Sequence, residues 1–135
     1  MDVAAVNGEP HHRWGTVRVS ACANVEAPSE LVVYLPQFHV VDVAELVTHM
    51  LHNRLPLRGA QVRDPKRWSE ALNHALVEFG GDAQVMIDQH SWPVWESQRV
   101  RTTLARFRDL YKYVHDQTLR MINHGMGPPK SPRRR

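Results

Sequence analysis

The chain has 135 residues, 42% hydrophobic and 23% charged, with nine histidines and one cysteine. That composition suits one small domain with a core; it excludes a disordered chain, a collagen-like repeat and a disulfide scaffold, since Cys22 has no internal partner. The formal charge of +3 does not argue for a nucleic-acid partner, because Lys130, Arg133, Arg134 and Arg135 crowd the C-terminal end and without them the basic residues are fewer than the 14 acidic ones.

Residues 1–14 show neither alternation nor helical period, and they lack the basic-then-apolar pattern of a signal peptide. No apolar run approaches the roughly 20 residues of a membrane helix, so the expectation is a cytoplasmic protein without a membrane span. Val17 and Val19 alternate with Arg18 and Ser20 and predict a strand over 16–21. The run 31–35 is short, apolar and rich in β-branched residues, and predicts a second strand ended by Pro36; Glu26 and Pro28 lie in the loop between the two.

Asp42, with Glu45 in capping-box spacing, predicts a helix to about Asn53, with Val43, Leu46, Val47, Met50 and Leu51 on one face. A second helix is predicted from Pro65, capped by Asp64 and stopped by Gly80-Gly81, with Trp68, Leu72, Ala75 and Phe79 on its apolar stripe. A short strand over 84–87 leads into the polar and aromatic cluster 88–93. The longest element, from Ser97 to about His124, keeps a helical period through Val100, Leu104, Phe107, Leu110, Val114 and Ile122 and needs a partner for that stripe.

Several side chains suit metal or anion chemistry. Glu45, His49 and His52 would share a helical face, a spacing that fits a metal site and fits an exposed polar stripe equally well. His90 follows a strand, in a loop braced by Trp92, Pro93 and Trp95, where both a ligand and a structural histidine occur. Arg58 and Arg63 would suit an oxyanion clamp, or else pair with Asp64 or Glu70 at the surface. His11-His12 reads as a terminal dipeptide.

The strings Glu26-Ala-Pro-Ser-Glu30, Ala44-Glu45 through Thr48-His49-Met-Leu-His52-Asn53, Leu57-Arg58-Gly-Ala-Gln-Val-Arg63-Asp64, His90-Ser-Trp-Pro93 and Arg108-Asp-Leu-Tyr-Lys-Tyr113 resemble the alkyl sulfatases of the metallo-β-lactamase superfamily. The resemblance runs from about Val25 to Gly127. It implies an α/β fold: a partial metallo-β-lactamase-like αββα layer, a few strands plus two helices, followed by a long amphipathic helix. Residues 25–96 would be the C-terminal part of that domain and 97–127 the first helix of the family's dimerisation domain, with 1–24 irregular and 128–135 a basic tail.

The resemblance further implies zinc-dependent hydrolysis of alkyl sulfate esters, by a metal-bound water on two zinc ions, with C–O or S–O cleavage left open. Glu26, Glu45 and His90 would be metal ligands, Asn53, Arg58 and Arg63 would contact the sulfate, and His49 and His52 would stand behind the ligands. The His-x-His-x-Asp-His motif of the family does not occur in these 135 residues, and Glu96 stands where the family has glycine after Trp-Pro-x-Trp. A partial zinc site in an inactive fragment is therefore expected. The alternatives are a module that docks through the last helix, as a homodimer or onto a full-length relative, and a truncated remnant.

Overall fold

The computed structural model describes residues 11–12, 15–56, 59 and 61–127, and is α/β as expected. Two short strands, β1 (His11–His12) and β2 (Gly15–Thr16), pair with each other. The main sheet has the order β3-β4-β5-β6-β7, with β3 Arg18–Ala23, β4 Ser29–Leu35, β5 Val40–Asp42, β6 Val85–Ile87 and β7 Val94–Trp95. All neighbours are antiparallel except β5 and β6, which run parallel because helix α1 (Pro65–Phe79) lies between them in the chain.

The strands expected over 16–21, 31–35 and 84–87 are present with small shifts of their ends, and β5 and β7 are additional. Period-two alternation turns Ser20 and Cys22 of β3 and Val32 and Tyr34 of β4 to the buried face, where Ser20 and Tyr34 meet α1, while α2 (Ser97–Asn123) packs on α1 and on β6 and β7. Glu30 shares the phase of Val32 and Tyr34 and is buried with them, which is the origin of its chemistry described below.

Helix α1 matches its expected start and stop. The Asp64 carboxylate accepts from the backbone N–H of Lys66 at 2.8 Å and of Arg67 at 3.3 Å, and Pro65 occupies the first turn. Trp68, Leu72, Ala75 and Phe79 are buried as the periodicity requires. Of the expected apolar stripe of α2, Val100 and Leu104 are buried against the rest of the chain and Phe107 packs on the core, whereas Leu110 is 37% and Ile122 58% exposed; Tyr111, outside that stripe, is buried and stacks on Trp68 with ring centroids 4.4 Å apart. Toward the C-terminal end of α2, Leu119, Met121 and Ile122 are exposed. Among the described residues no helix is long and apolar enough to cross a membrane.

The helix expected from Asp42 to Asn53 does not form. Asp42 ends β5, opposite Val33 and Ile87, and its Oδ1 accepts the backbone N–H of Ala44 at 2.9 Å, which turns the chain instead of starting a helix. A short 3₁₀ turn (Ala44–Leu46) follows, and the described residues between it and α1 are irregular. Val43, Leu46 and Val47 are buried, but Met50 is 71% and Leu51 51% exposed, so the apparent helical stripe is a buried turn followed by a surface loop. β-branched Val40 and Val41 pair with β6, and the Val43 N–H continues the ladder to the Ile87 carbonyl at 3.1 Å, which commits this stretch to the sheet.

Candidate active site

Six of the residues singled out from the sequence, Glu26, Glu45, His52, Asn53, Arg63 and His90, meet in one cleft. An open cleft of about 650 Å³ is lined by Glu26, Glu45, His52, Asn53, Pro56, Arg63 and His90. Glu26 comes from the β3–β4 loop, Glu45 from the turn after β5, His52 to Arg63 from the long loop before α1, and His90 from the loop after β6. The strands thus deliver their loops to a shared edge, the usual location of chemistry in α/β folds. Arg58 lies outside the described residues.

Arg63 is the organising side chain. It is only 8% exposed although it is charged, and each of its three guanidinium nitrogens has a partner within the chain. Nε donates to the Glu26 carbonyl at 2.8 Å, one terminal nitrogen to the Asn53 carbonyl at 2.6 Å and to Asn53 Oδ1, and the other to the Glu26 carboxylate. The same terminal nitrogen that reaches Asn53 lies 3.0 Å from His52 Nδ1. Its backbone N–H reaches the Arg54 carbonyl at 2.9 Å.

His52 is held from both sides. Its Nε2 stands 3.9 Å from Glu26 Oε1, and its ring lies against Trp68 at 5.7 Å between centroids. Trp68 is anchored in turn, its indole N–H donating to the Leu46 carbonyl at 2.9 Å. A continuous run of rings, Tyr111 stacked on Trp68 and Trp68 tilted at 45° to His52, therefore leads from α2 through α1 to the cleft wall.

On the opposite wall, His90 Nε2 lies 3.4 Å from Glu45 Oε1. The His90 backbone N–H donates to Asp88 Oδ1 at 2.9 Å, which sets the turn after β6. His49 does not face the cleft; its Nε2 points at Asp88 Oδ2, 3.6 Å away. The shared helical face of Glu45, His49 and His52 is absent with the helix: Glu45 and His52 line the cleft and His49 turns aside.

Two buried carboxylates were not identified as site residues from sequence. Glu30 is 6% exposed; its Oε1 accepts the Glu45 backbone N–H at 2.9 Å and its Oε2 has no hydrogen-bond partner. Burial, reinforced by the neighbouring Glu26 and Glu45 carboxylates, pushes its pKa up to about 7. The alternation of β4 is the signal that places it inside. Asp88 is buried at the carboxylate, and only its place at the end of a strand marked it.

A metal centre was tested against these donors. Glu45 and His90 are an oxygen and nitrogen pair of the kind zinc takes, within reach of one ion. The third donor expected, Glu26, is instead paired with Arg63, and among the described residues no group of three His, Cys, Asp or Glu side chains converges. The residues present do not fit a resident metal by themselves.

No protein-family model matches the chain. The alkyl/aryl-sulfatase of Saccharomyces cerevisiae is 47% identical to it over 100 residues, covering 74% of this chain and 16% of the relative. A linear primary-alkylsulfatase of a Pseudomonas species is 43% identical over 125 residues, covering 92% and 18%. The solved stereoselective inverting sec-alkylsulfatase from Pseudomonas superposes with a TM-score of 0.80 at 36% identity, over 87% of this chain and 20% of that one. The metallo-β-lactamase DIM-1, at 18% identity and a TM-score of 0.58 over 79% of this chain and 46% of that one, shares the fold alone. This chain spans between 15% and 19% of the length of the curated relatives it matches.

Proposed function

Since this chain is homologous to one segment of the alkyl sulfatases and has part of the metallo-β-lactamase fold, we propose that it forms the portion of an alkyl sulfatase catalytic domain that presents metal-facing groups and a sulfate-facing loop on one cleft. The observation that carries this reading is the meeting of Glu26, Glu45, Asn53, Arg63 and His90, from three separate connections, in that cleft. Glu45 and His90, with Glu26 beside them, are this chain's share of a two-zinc centre whose remaining donors are not among its 135 residues. The sulfate of an alkyl sulfate ester faces Asn53 and the loop that runs on to Arg58, with Arg63 beneath. Residues 25–96 are the C-terminal part of the catalytic domain, and α2 is the first helix of the family's dimerisation domain, folded back on α1. Without the other zinc donors the chain hydrolyses no ester.

Titration of the full chain with inorganic sulfate, followed by amide NMR, tests the cleft assignment. The shifts are expected to cluster at 45, 52–54 and 90. Shifts confined to other surfaces, or none, overturn it.

The exposed Leu119, Met121 and Ile122 favour a second reading, in which the end of α2 docks on another copy or on a full-length relative. Light scattering on the eluting chain decides it for self-association: a dimer that Ile122→Glu dissociates supports it, and a strict monomer contradicts it.

A further inference from the structure

Glu30 stands where the alternation of β4 calls for an apolar side chain, in phase with Val32 and Tyr34 and only 6% exposed. A carboxylate in such a place weakens a fold unless a cation or a full set of donors meets it. Among the described residues no cation is paired with Glu30, and its Oε2 has no hydrogen-bond partner. Core packing therefore does not account for this residue. We infer that Glu30 is a positioning residue, which holds the 44–45 peptide and so aims the Glu45 carboxylate at His90. The inference rests on reading Glu45 and His90 as working groups of the cleft, and it concerns what fixes one of them.

Glu45 sits in a turn that does not hold itself. The 3₁₀ turn Ala44–Leu46 is a single turn, whose first N–H groups must find acceptors outside it. Ala44 enters it at φ of 46°, in the left-handed region that a residue with a Cβ adopts reluctantly. Contacts from elsewhere fix its two ends: the Asp42 carboxylate accepts the Ala44 N–H at 2.9 Å, and the Trp68 indole N–H reaches the Leu46 carbonyl at 2.9 Å. Neither of them touches the 44–45 peptide. That peptide is held on its N–H side by Glu30 Oε1 at 2.9 Å, and on its carbonyl side by the Gln89 N–H at 3.4 Å. With Glu30 removed, only the longer contact remains, near the limit of a hydrogen bond. The peptide plane is then free to turn, and the side chain of Glu45 turns with it.

His90 is held by a separate device. Its N–H goes to Asp88 Oδ1 at 2.9 Å, two residues back in its own loop. Loss of Glu30 therefore misplaces one member of the Glu45–His90 pair, now 3.4 Å apart, and leaves the backbone of the other where it is. This makes the His90 amide an internal reference. A buried residue that served folding alone would instead loosen the whole core when replaced, α1 included.

Amide hydrogen exchange and NOE spectra of the full chain test this. In the wild-type chain the Glu45 N–H is expected to exchange slowly, and the Glu45 side chain to show an NOE to the His90 ring. Glu30→Leu removes the acceptor and suits the buried face of β4, whereas Glu30→Gln keeps an acceptor. In Glu30→Leu the Glu45 amide is expected to exchange about tenfold faster or more, measured against Ala75 in α1. The NOE is lost and the His90 amide is unchanged, and Glu30→Gln restores the wild-type pattern. Rapid exchange of Glu45 in the wild-type chain overturns the proposal. So does a Glu30→Leu chain in which Glu45 accelerates no more than Ala75 and keeps its NOE. Should Glu30→Leu not fold, Glu30→Asp, whose carboxylate falls a methylene short of the Glu45 N–H, is expected to show the same acceleration; an unchanged Glu45 there overturns the proposal as well. Sulfate that leaves 45 and 90 unshifted, while Glu30 still protects the Glu45 amide, contradicts the reading of the cleft and not the hold of Glu30 on Glu45.

Discussion

Glu30 makes the stability of this fold depend on pH in a direction opposite to that of an ordinary surface carboxylate. Its pKa is about 7 in the folded chain against 4.5 as the reference value, so the folded state holds the proton more tightly than the unfolded state does. The stability associated with protonated Glu30 is complete below pH 4.5 and is lost as pH rises through 7. The difference between the two pKa values corresponds to about 3 kcal/mol at about 1.4 kcal/mol per pH unit, an upper bound that water reaching the unpartnered Oε2 would reduce. Glu30→Gln keeps an oxygen for the Glu45 N–H and removes the charge. Urea unfolding of both chains, followed by tryptophan fluorescence at pH 5 and pH 8, isolates this group because other titrations cancel in the comparison. The variant is expected to gain on the wild-type chain by about 2 to 3 kcal/mol between pH 5 and pH 8. Equal pH dependence in the two chains, or a variant that loses ground at pH 8, would refute the reasoning.

Glu96 has φ of 75° at the start of α2, a region that favours glycine, so Glu96→Gly is expected to raise stability by about 1 kcal/mol in the same unfolding assay. Cys22 is buried, and burial, aided by Glu30 and Glu78, pushes its pKa up to about 11; its thiol should resist a disulfide reagent in the native chain and react promptly once unfolded. Trp68→Ala removes a fully buried ring, its hydrogen bond to Leu46 and the stack on Tyr111, and should cost about 3 to 5 kcal/mol by urea unfolding.

What could be read from the sequence divides along the range of the interactions. Helices α1 and α2 were legible because their stripes, the Asp64 cap and Pro65 are local signals. The segment after Asp42 was not, because Asp42-x-x-Glu45 has the spacing of a capping box whereas its fate is decided by β6, more than 40 residues further on. β7, only two residues long, has too short a run to show a period.

The site follows the same rule. Glu26, Glu45 and His90 were picked out by resemblance, and they do line one cleft with Asn53 and Arg63. That Arg63 takes up Glu26, or that His49 turns to Asp88, depends on contacts between distant loops that no spacing encodes. Glu96 stood out in the sequence only through the resemblance, and its φ of 75° is a conformation that glycine adopts without strain.

On the proposed reading this chain supplies part of an alkyl sulfatase site, and among its described residues no three His, Cys, Asp or Glu side chains converge to hold a metal. The most direct test is sulfate release from dodecyl sulfate by the purified 135-residue chain with added zinc. No release above the protein-free control is expected, and zinc-dependent turnover that is lost in His90→Ala would contradict the account.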